Sequence, residues 1–290
     1  MSILLIGATG HIGAQVAQLL ADRGAAVRAL VRQPETATLP AGVTAFKGDL
    51  LDVDSMRAAL SGVDTLFLLN AVVPDELTQA MLALSLAREA GLKGYVYFSV
   101  QHAERFTDVP HFASKYAVER LIEAADLPAT ILRPSYFMQN DVTMKDALTG
   151  PGLYPMPVGD VGVSLVDTRD IAEVAAAALW QRHQAAAPLP RETIDVVGPQ
   201  ALTGGDLAAI WSATLGRPIV YGGNALDPFE TRFKSFAPSW LAREIRLMLG
   251  RFQTDGMVGT PQAVQRMTAL LGHAPRTYGD YAAATAAAWK

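Results

Sequence analysis

The sequence predicts an α/β fold: a doubly wound parallel sheet, with a smaller and mostly helical lobe built from the later part of the chain. Three observations carry this expectation. An apolar strand runs straight into a three-glycine turn and a helix at residues 3–23; strand and helix patterns then alternate through the first half; beyond about residue 136 the alternation loosens into loops and helices. Length agrees with this division. A chain of 290 residues, half of them hydrophobic, is long for one core and ordinary for a large α/β domain that carries a smaller lobe.

The elements follow in order. Residues 3–6 form the first strand, and residues 12–23 the first helix, with Ile12, Val16, Leu19 and Leu20 at helical spacing and Gly24 as its stop. Strands are expected at 26–31, ahead of Gly48, at 65–69, 95–99 and 129–133, and helices near 54–61, 75–90 and 110–124. That gives six parallel strands covered on both faces. The run Gly91-Leu92-Lys93-Gly94 ends a helix, and Gly150-Pro151-Gly152 with Pro155 and Pro157 marks loop. A helix resumes at 167–180, with Asp167 as its cap and Asp170 favourable in the first turn. A strand at 192–197 follows, then a capping box at Thr203 and Asp206 opening a helix that Gly216 ends, and a strand at 218–221. Residues 225–290 read as helices, one of them amphipathic through Trp240, Leu241, Ile245, Met248 and Phe252. The domains are expected at 1–150 and 151–290, the chain returning to the first around 165–197.

Composition narrows the chemistry. With no cysteine, disulfides, thiolate metal sites and cysteine nucleophiles are excluded, and a cytoplasmic setting is the simplest expectation. No apolar run approaches the roughly 18 residues that span a bilayer, and no basic leader precedes the first strand, so neither membrane insertion nor export is expected. A formal net charge of -4 argues against direct nucleic-acid binding. His11, His102, His183 and His273 show no metal-ligand spacing, so no metal is expected.

The glycine turn is the strongest chemical signal. In Ile6-Gly7-Ala8-Thr9-Gly10-His11-Ile12-Gly13, Gly7 makes the tight turn, Gly10 has no side chain to hold a pyrophosphate off the backbone, and Gly13 lets the helix lie close to the sheet. The helix then directs its amide-rich end at the phosphates. This is the dinucleotide-binding arrangement of a Rossmann sheet, and Gly7, Thr9, Gly10, His11, Ile12 and Gly13 form its expected contact set. Roughly 20 residues further on, where an NAD site places an acid on the adenosine ribose, the chain has Arg32. A guanidinium there grips a 2′-phosphate, so NADP is favoured over NAD. Asp49 and Leu50 follow the third strand; Asp49 either accepts from the adenine amine or turns the chain.

A second group of residues stands at the later strand ends. His111 and Lys115, four apart, project from one face of a helix, and Ser99 closes the strand before it. From the glycine turn, through His111-Phe112-Ala113-Ser114-Lys115, to Leu132-Arg133-Pro134-Ser135-Tyr136-Phe137-Met138-Gln139-Asn140, the chain resembles the NmrA-like group of atypical short-chain dehydrogenases/reductases over roughly residues 1 to 220. In that superfamily a Ser, a Tyr and a Lys four residues after the Tyr carry the chemistry. The resemblance makes Lys115 the ribose-holding lysine and Ser99 the serine, and it puts His111 at the tyrosine position. An imidazole with a reference pKa of about 6.5 is a different acid from a phenol. Tyr116 is no substitute, being turned about 100° away from Lys115 on the helix. Relatives of this kind include reductases of quinones, dyes and other unsaturated small molecules, and also nucleotide-binding redox sensors that act through a protein partner.

Two functions are therefore expected: an NADPH-dependent reductase of a small apolar acceptor, or a non-catalytic NADP(H) sensor. Tyr136, Phe137, Met138 and Asn140 are expected on the substrate side, unless they are core. Arg133-Pro134 reads as a strand end, not as a catalytic arginine. The expected partners are a small-molecule substrate or a regulatory protein, and the expected state is a monomer or homodimer.

Overall fold

The computed structural model describes residues 2–289. In chain order the first elements are β1 (Ser2–Ile6), α1 (His11–Asp22), β2 (Val27–Val31), β3 (Val43–Lys47), α2 (Val53–Leu60), β4 (Val63–Leu68), α3 (Glu76–Glu89), β5 (Gly94–Phe98), α4 (Pro110–Ala124) and β6 (Ala129–Pro134). A 3-10 helix at Met138–Met144 leads to α5 (Lys145–Thr149), β7 (Leu153–Tyr154), α6 (Thr168–Gln184), β8 (Glu192–Val196), α7 (Gly204–Leu215) and β9 (Val220–Tyr221). The chain continues through α8 (Leu226–Phe233), α9 (Ser239–Asp255), α10 (Pro261–Leu271) and α11 (Tyr278–Ala288).

Seven strands form one sheet in the order β3-β2-β1-β4-β5-β6-β8, and the pairings from β3 through β6 are parallel. The doubly wound α/β sheet is thus present, with β8 added beside the six strands counted from the sequence. The fully buried runs of β4 and β5 show why the fold is of this type. A strand that is apolar on both faces needs helices on both faces, which parallel crossovers supply. On one side, Leu4, Leu66 and Tyr97 of the sheet pack with Leu60, Leu84 and Ile122 of α2, α3 and α4 in one core cluster. Strand order reverses between β1 and β4, so the carboxyl end of β1 lies at the switch point where such sheets bind ligands.

Backbone proximity divides the chain into two compact units. The first holds the residues up to Ala103, with His111–Arg133 and Arg169–Ile194; the second holds Glu104–Pro110, Pro134–Thr168 and the residues from Asp195 on. Segment 134–150, which the sequence pattern groups with the first domain, falls in the second unit.

Within the second unit, β7 and β9 pair in parallel, Leu153 with Val220 and Tyr154 with Tyr221. The sequence marks β9 but reads β7 as loop, since two residues leave no periodicity. The same holds for the 3-10 helix and α5. The capping box of α7 forms as expected, with Thr203 accepting from the Asp206 amide and Gly216 closing the helix at φ +64°. In α9 the buried face holds Ala242, Met248, Leu249 and Phe252, whereas Trp240 is 38% exposed. Eight residues before Met248, Trp240 stands about 80° off that face, which corrects its place in the expected apolar stripe. Among the described residues no helix is long and apolar enough to cross a membrane.

Candidate functional site

The glycine turn is built by three different constraints. Gly7 adopts φ +84°, and a Cβ there would stand 2.6 Å from the Leu69 carbonyl oxygen, so backbone conformation and space both demand glycine. A Cβ on the buried Gly13 would stand 2.1 Å from the Gly7 oxygen, which is why α1 can lie this close to the turn. Gly10 differs. Its backbone is extended (φ -82°, ψ 166°), and an added Cβ would meet only the Gly7 oxygen, at 3.4 Å. Space over Gly10 is open, and the fold itself does not require glycine there. The Gly10 N–H donates to the Gly7 oxygen (3.0 Å), and α1 begins with no side-chain cap and no acidic residue in its first turn. Its positive end is left for an anion.

A cavity of about 760 Å³ opens beside this turn at the carboxyl ends of β1 to β4. Gly7, Thr9, Arg32, Asp49 and Leu50 line it, while Gly10, His11, Ile12 and Gly13 form the adjoining start of α1. Arg32 is exposed, and no described residue takes up its guanidinium. Asp49 turns the chain: its Oδ1 accepts from the Leu51 amide (2.9 Å) and its own N–H donates to Ser55 Oγ (3.0 Å). Asn70, just past β4, is also in the wall; it is 6% exposed, with neither side-chain oxygen nor nitrogen hydrogen-bonded. An open cradle over Gly10, an unpaired guanidinium and an unsatisfied buried amide fit a phosphorylated dinucleotide.

Lys115 does not line this cavity. It is 5% exposed on α4, its ammonium 2.8 Å from Glu76 Oε1 at the start of α3, and it donates to the Phe98 carbonyl oxygen (3.1 Å) at the end of β5. The Tyr97 ring lies 5.9 Å from the ammonium. Burial, reinforced by Glu76 and Glu119, raises the Tyr97 pKa well above the usual phenol value, so its hydroxyl stays neutral. Ser99 Oγ donates to Glu119 Oε1 (2.5 Å), and the fully buried Glu119 receives both Nε (3.0 Å) and Nη2 (2.5 Å) of Arg133. Arg133 is therefore the cation that neutralises a buried carboxylate, and Ser99 completes that group. His111, half-buried in the first turn of α4, packs edge-on to Phe112 at 4.6 Å. Lys115 and His111 share a helix face, while Tyr116 turns away and meets Arg120.

The residues expected on the substrate side lie in the second unit. Met138 is buried, Tyr136 and Phe137 are half-buried, and Asn140 is exposed. Tyr136 packs edge-on to Phe252 at 5.6 Å. Beside them sits a buried polar cluster. Asp141, fully enclosed, accepts from Tyr154 OH (2.9 Å) and Tyr278 OH, and the Tyr278 oxygen accepts from Trp211 Nε1 (2.8 Å). Burial pushes the Asp141 carboxyl up to about 7 against the pull of these two phenols.

Sequence spacing missed Asn70, Glu76, Glu119 and Asp141. Glu119 lies four residues after Lys115, where a helix carboxylate reads as a solvated charge. The one usable signal is Arg133 at the end of an apolar strand, since a guanidinium drawn partly out of solvent calls for an acid.

A model of the NmrA-like family matches residues 1–271 of the chain. An NAD(P)H azoreductase of Xenophilus azovorans is 32% identical, with 99% of each chain covered. The NADPH-dependent quinone oxidoreductase QOR2 of Escherichia coli, solved with NADPH, superimposes with a TM-score of 0.85 at 22% identity, over 99% of this chain and 100% of that one. Triphenylmethane reductase of Citrobacter, solved with NADP(H), gives a TM-score of 0.85 at 23% identity, over 98% and 100%.

Proposed function

Because the chain belongs to the NmrA-like family, which holds NAD(P)H-dependent reductases, we propose that it is an NADPH-dependent reductase of a small apolar acceptor such as a quinone, an azo or arylmethane dye, or an enone. The observation that carries this reading is the cavity lined by Gly7 and Thr9 of the turn and by the unpaired Arg32, with the bare Gly10 adjoining it. The uncapped start of α1 holds the pyrophosphate by backbone amides, and Arg32 takes the 2′-phosphate with paired hydrogen bonds. When bound, the nicotinamide supplies the hydride. Lys115, fixed by Glu76 and the Phe98 carbonyl, orients the nicotinamide ribose, and Ser99 anchors the strand end through Glu119. His111, on the same helix face as Lys115, stands where the superfamily's tyrosine stands. Reduction of a conjugated acceptor needs chiefly orientation and a proton source, which solvent can supply, so the reading does not depend on a phenol.

A second reading is favoured by that same histidine. In a nucleotide-binding sensor the pocket is kept and the proton-donating tyrosine is dispensable, and the chain then reports NADP(H) to a regulatory protein. Mixing the protein with NADPH and a panel of quinones, azo dyes and enones, while following the nicotinamide absorbance, separates the two. Turnover with any acceptor supports the reductase; tight NADPH binding with none, and a nucleotide-dependent partner in a pull-down, supports the sensor.

A further inference from the structure

Asp141 sits where the pattern of its own helix calls for an apolar side chain. Met138, Asp141 and Met144, three residues apart, share one face of the 3-10 helix and are its buried residues. The carboxyl is fully enclosed, and among the described residues no ammonium or guanidinium pairs with it. Its partners are the phenols of Tyr154, from β7, and Tyr278, from α11, both donating to Oδ2. Oδ1 is equally buried and has no hydrogen-bond partner. A buried carboxylate without a cation is costly, and a bare oxygen adds to that cost; the neutral carboxyl carries its proton on Oδ1 and leaves Oδ2 to the phenols. We infer that Asp141 is a proton-operated latch for the C-terminal helix: protonated, it holds α11 against the 3-10 segment Met138–Met144, and ionised, it releases α11.

The carboxyl is the joint between these elements. Tyr278 OH donates to it and accepts from Trp211 Nε1 of α7 (2.8 Å), so one hydroxyl ties α11 to both. Little else holds α11. Of its residues only Tyr278, Tyr281 and Ala282 are buried; just beyond its end Trp289 stacks on Trp211 with ring centroids 5.1 Å apart, and Lys145 reaches the Trp289 carbonyl oxygen (3.4 Å). A helix of 11 residues is marginal in isolation, and an element with few buried contacts opens locally before the whole chain does. The titratable groups that face Asp141 are Tyr136, after β6, Tyr154 of β7, and Tyr278 and Tyr281 of α11, while α7 contributes the indole of Trp211, which does not titrate. Burial raises all four phenols, Tyr281 to about 12, so in the neutral and mildly acid range Asp141 is the group of this cluster that titrates. Burial likewise pushes the closed carboxyl up to about 7, and an open state that admits water restores the ordinary 3.8. Each pH unit from about 5 to about 7 therefore favours opening by about tenfold, and the effect levels off above. The 3-10 helix carries Met138 and Asn140, expected on the substrate side, so release of α11 loosens that segment; this consequence, unlike the latch itself, rests on the reductase reading.

Hydrogen exchange of the full chain at pH 5, 6, 7 and 8, expressed as protection factors so that the intrinsic rate divides out, tests the latch without nucleotide or substrate. Protection of residues 279–288 should fall about tenfold per unit from pH 5 to pH 7 and then level, lying well below that of α1 at every pH. Asp141→Asn, whose carboxamide stays neutral and presents an oxygen to the two phenols, should keep the pH 5 protection throughout. Wild-type protection that is unchanged from pH 5 to pH 8 overturns the latch, and that result needs no variant. Equal protection of α11 and α1 also overturns it, because α11 then opens only with the whole chain. A fall that persists in Asp141→Asn overturns the role of Asp141. Steady-state kinetics then reads the consequence: the wild-type KM for the acceptor should rise over the same interval, and that of Asp141→Asn should not. A working latch with an unchanged KM overturns the tie to the substrate side; no turnover with any acceptor fells the reductase reading, and hydrogen exchange still decides the latch.

Discussion

Loss of activity on mutating Lys115 will not by itself show that the lysine acts on the cofactor, because Lys115 also holds a buried charge. Lys115 and Glu76 are 5% and 4% exposed and 2.8 Å apart. Lys115→Met leaves the Glu76 carboxylate buried without a cation, which costs about 3–5 kcal/mol, and Glu76→Leu strands the ammonium at a similar cost. Removing both charges together replaces a buried ion pair by apolar groups. What remains is mainly the lost hydrogen bond to the Phe98 oxygen, about 1 kcal/mol. The double variant should therefore be more stable than either single one. Urea unfolding of the four proteins, read as the shift in midpoint at constant slope, measures this directly. Single-variant losses that add in the double variant within about 0.5 kcal/mol would refute the pair as a buried unit. The same four proteins also resolve function. If Lys115 orients the ribose, kcat/KM with NADPH stays depressed in the stable double variant; recovery with stability would make the lysine structural only.

Other outcomes follow from the same geometry. Arg32→Ala should weaken NADPH binding by about 1.5–3 kcal/mol, the range for a hydrogen bond to a charged group, and leave NADH nearly unchanged; calorimetry with both nucleotides checks it. Gly13→Ala, whose Cβ would fall 2.1 Å from the Gly7 oxygen, should lower the unfolding temperature by several degrees or prevent folding, as circular dichroism would show. Asp141 should make stability depend on pH. Its carboxyl is raised by burial to about 7 in the folded protein from the ordinary 3.8, so between these values the folded state binds a proton that the unfolded state has released. Stability then falls as pH rises from about 4 to about 7, by on the order of 4 kcal/mol, and levels off above. Urea midpoints across that range should slope in the wild type and lose this slope in Asp141→Asn.

What the sequence revealed was what is local in it. β1, the glycine turn and α1 occupy 21 consecutive residues, and each constraint on Gly7, Gly10 and Gly13 comes from neighbours in the turn or from the adjoining strand end. Arg32 was legible because a strand end after the first helix has a fixed place in a parallel sheet. The helix face that Lys115 occupies was legible from spacing, but its ion-pair partner was not: Glu76 lies 39 residues earlier at the start of another helix, and only the fold brings the two together. Asn70 gave no signal because an asparagine after a strand reads as an ordinary turn residue. Asp141 follows an aromatic run and takes its meaning from Tyr154 and Tyr278, one of them 137 residues away.

Isothermal titration of the wild type and of Gly10→Leu with NADPH most directly probes whether the first turn is a pyrophosphate cradle. The fold leaves room above Gly10, so the variant should keep most of its stability while the leucine occupies the phosphate position; the wild type should bind and the variant should give no heat. NADPH binding of equal strength to both proteins, or no binding to the wild type, would contradict the account.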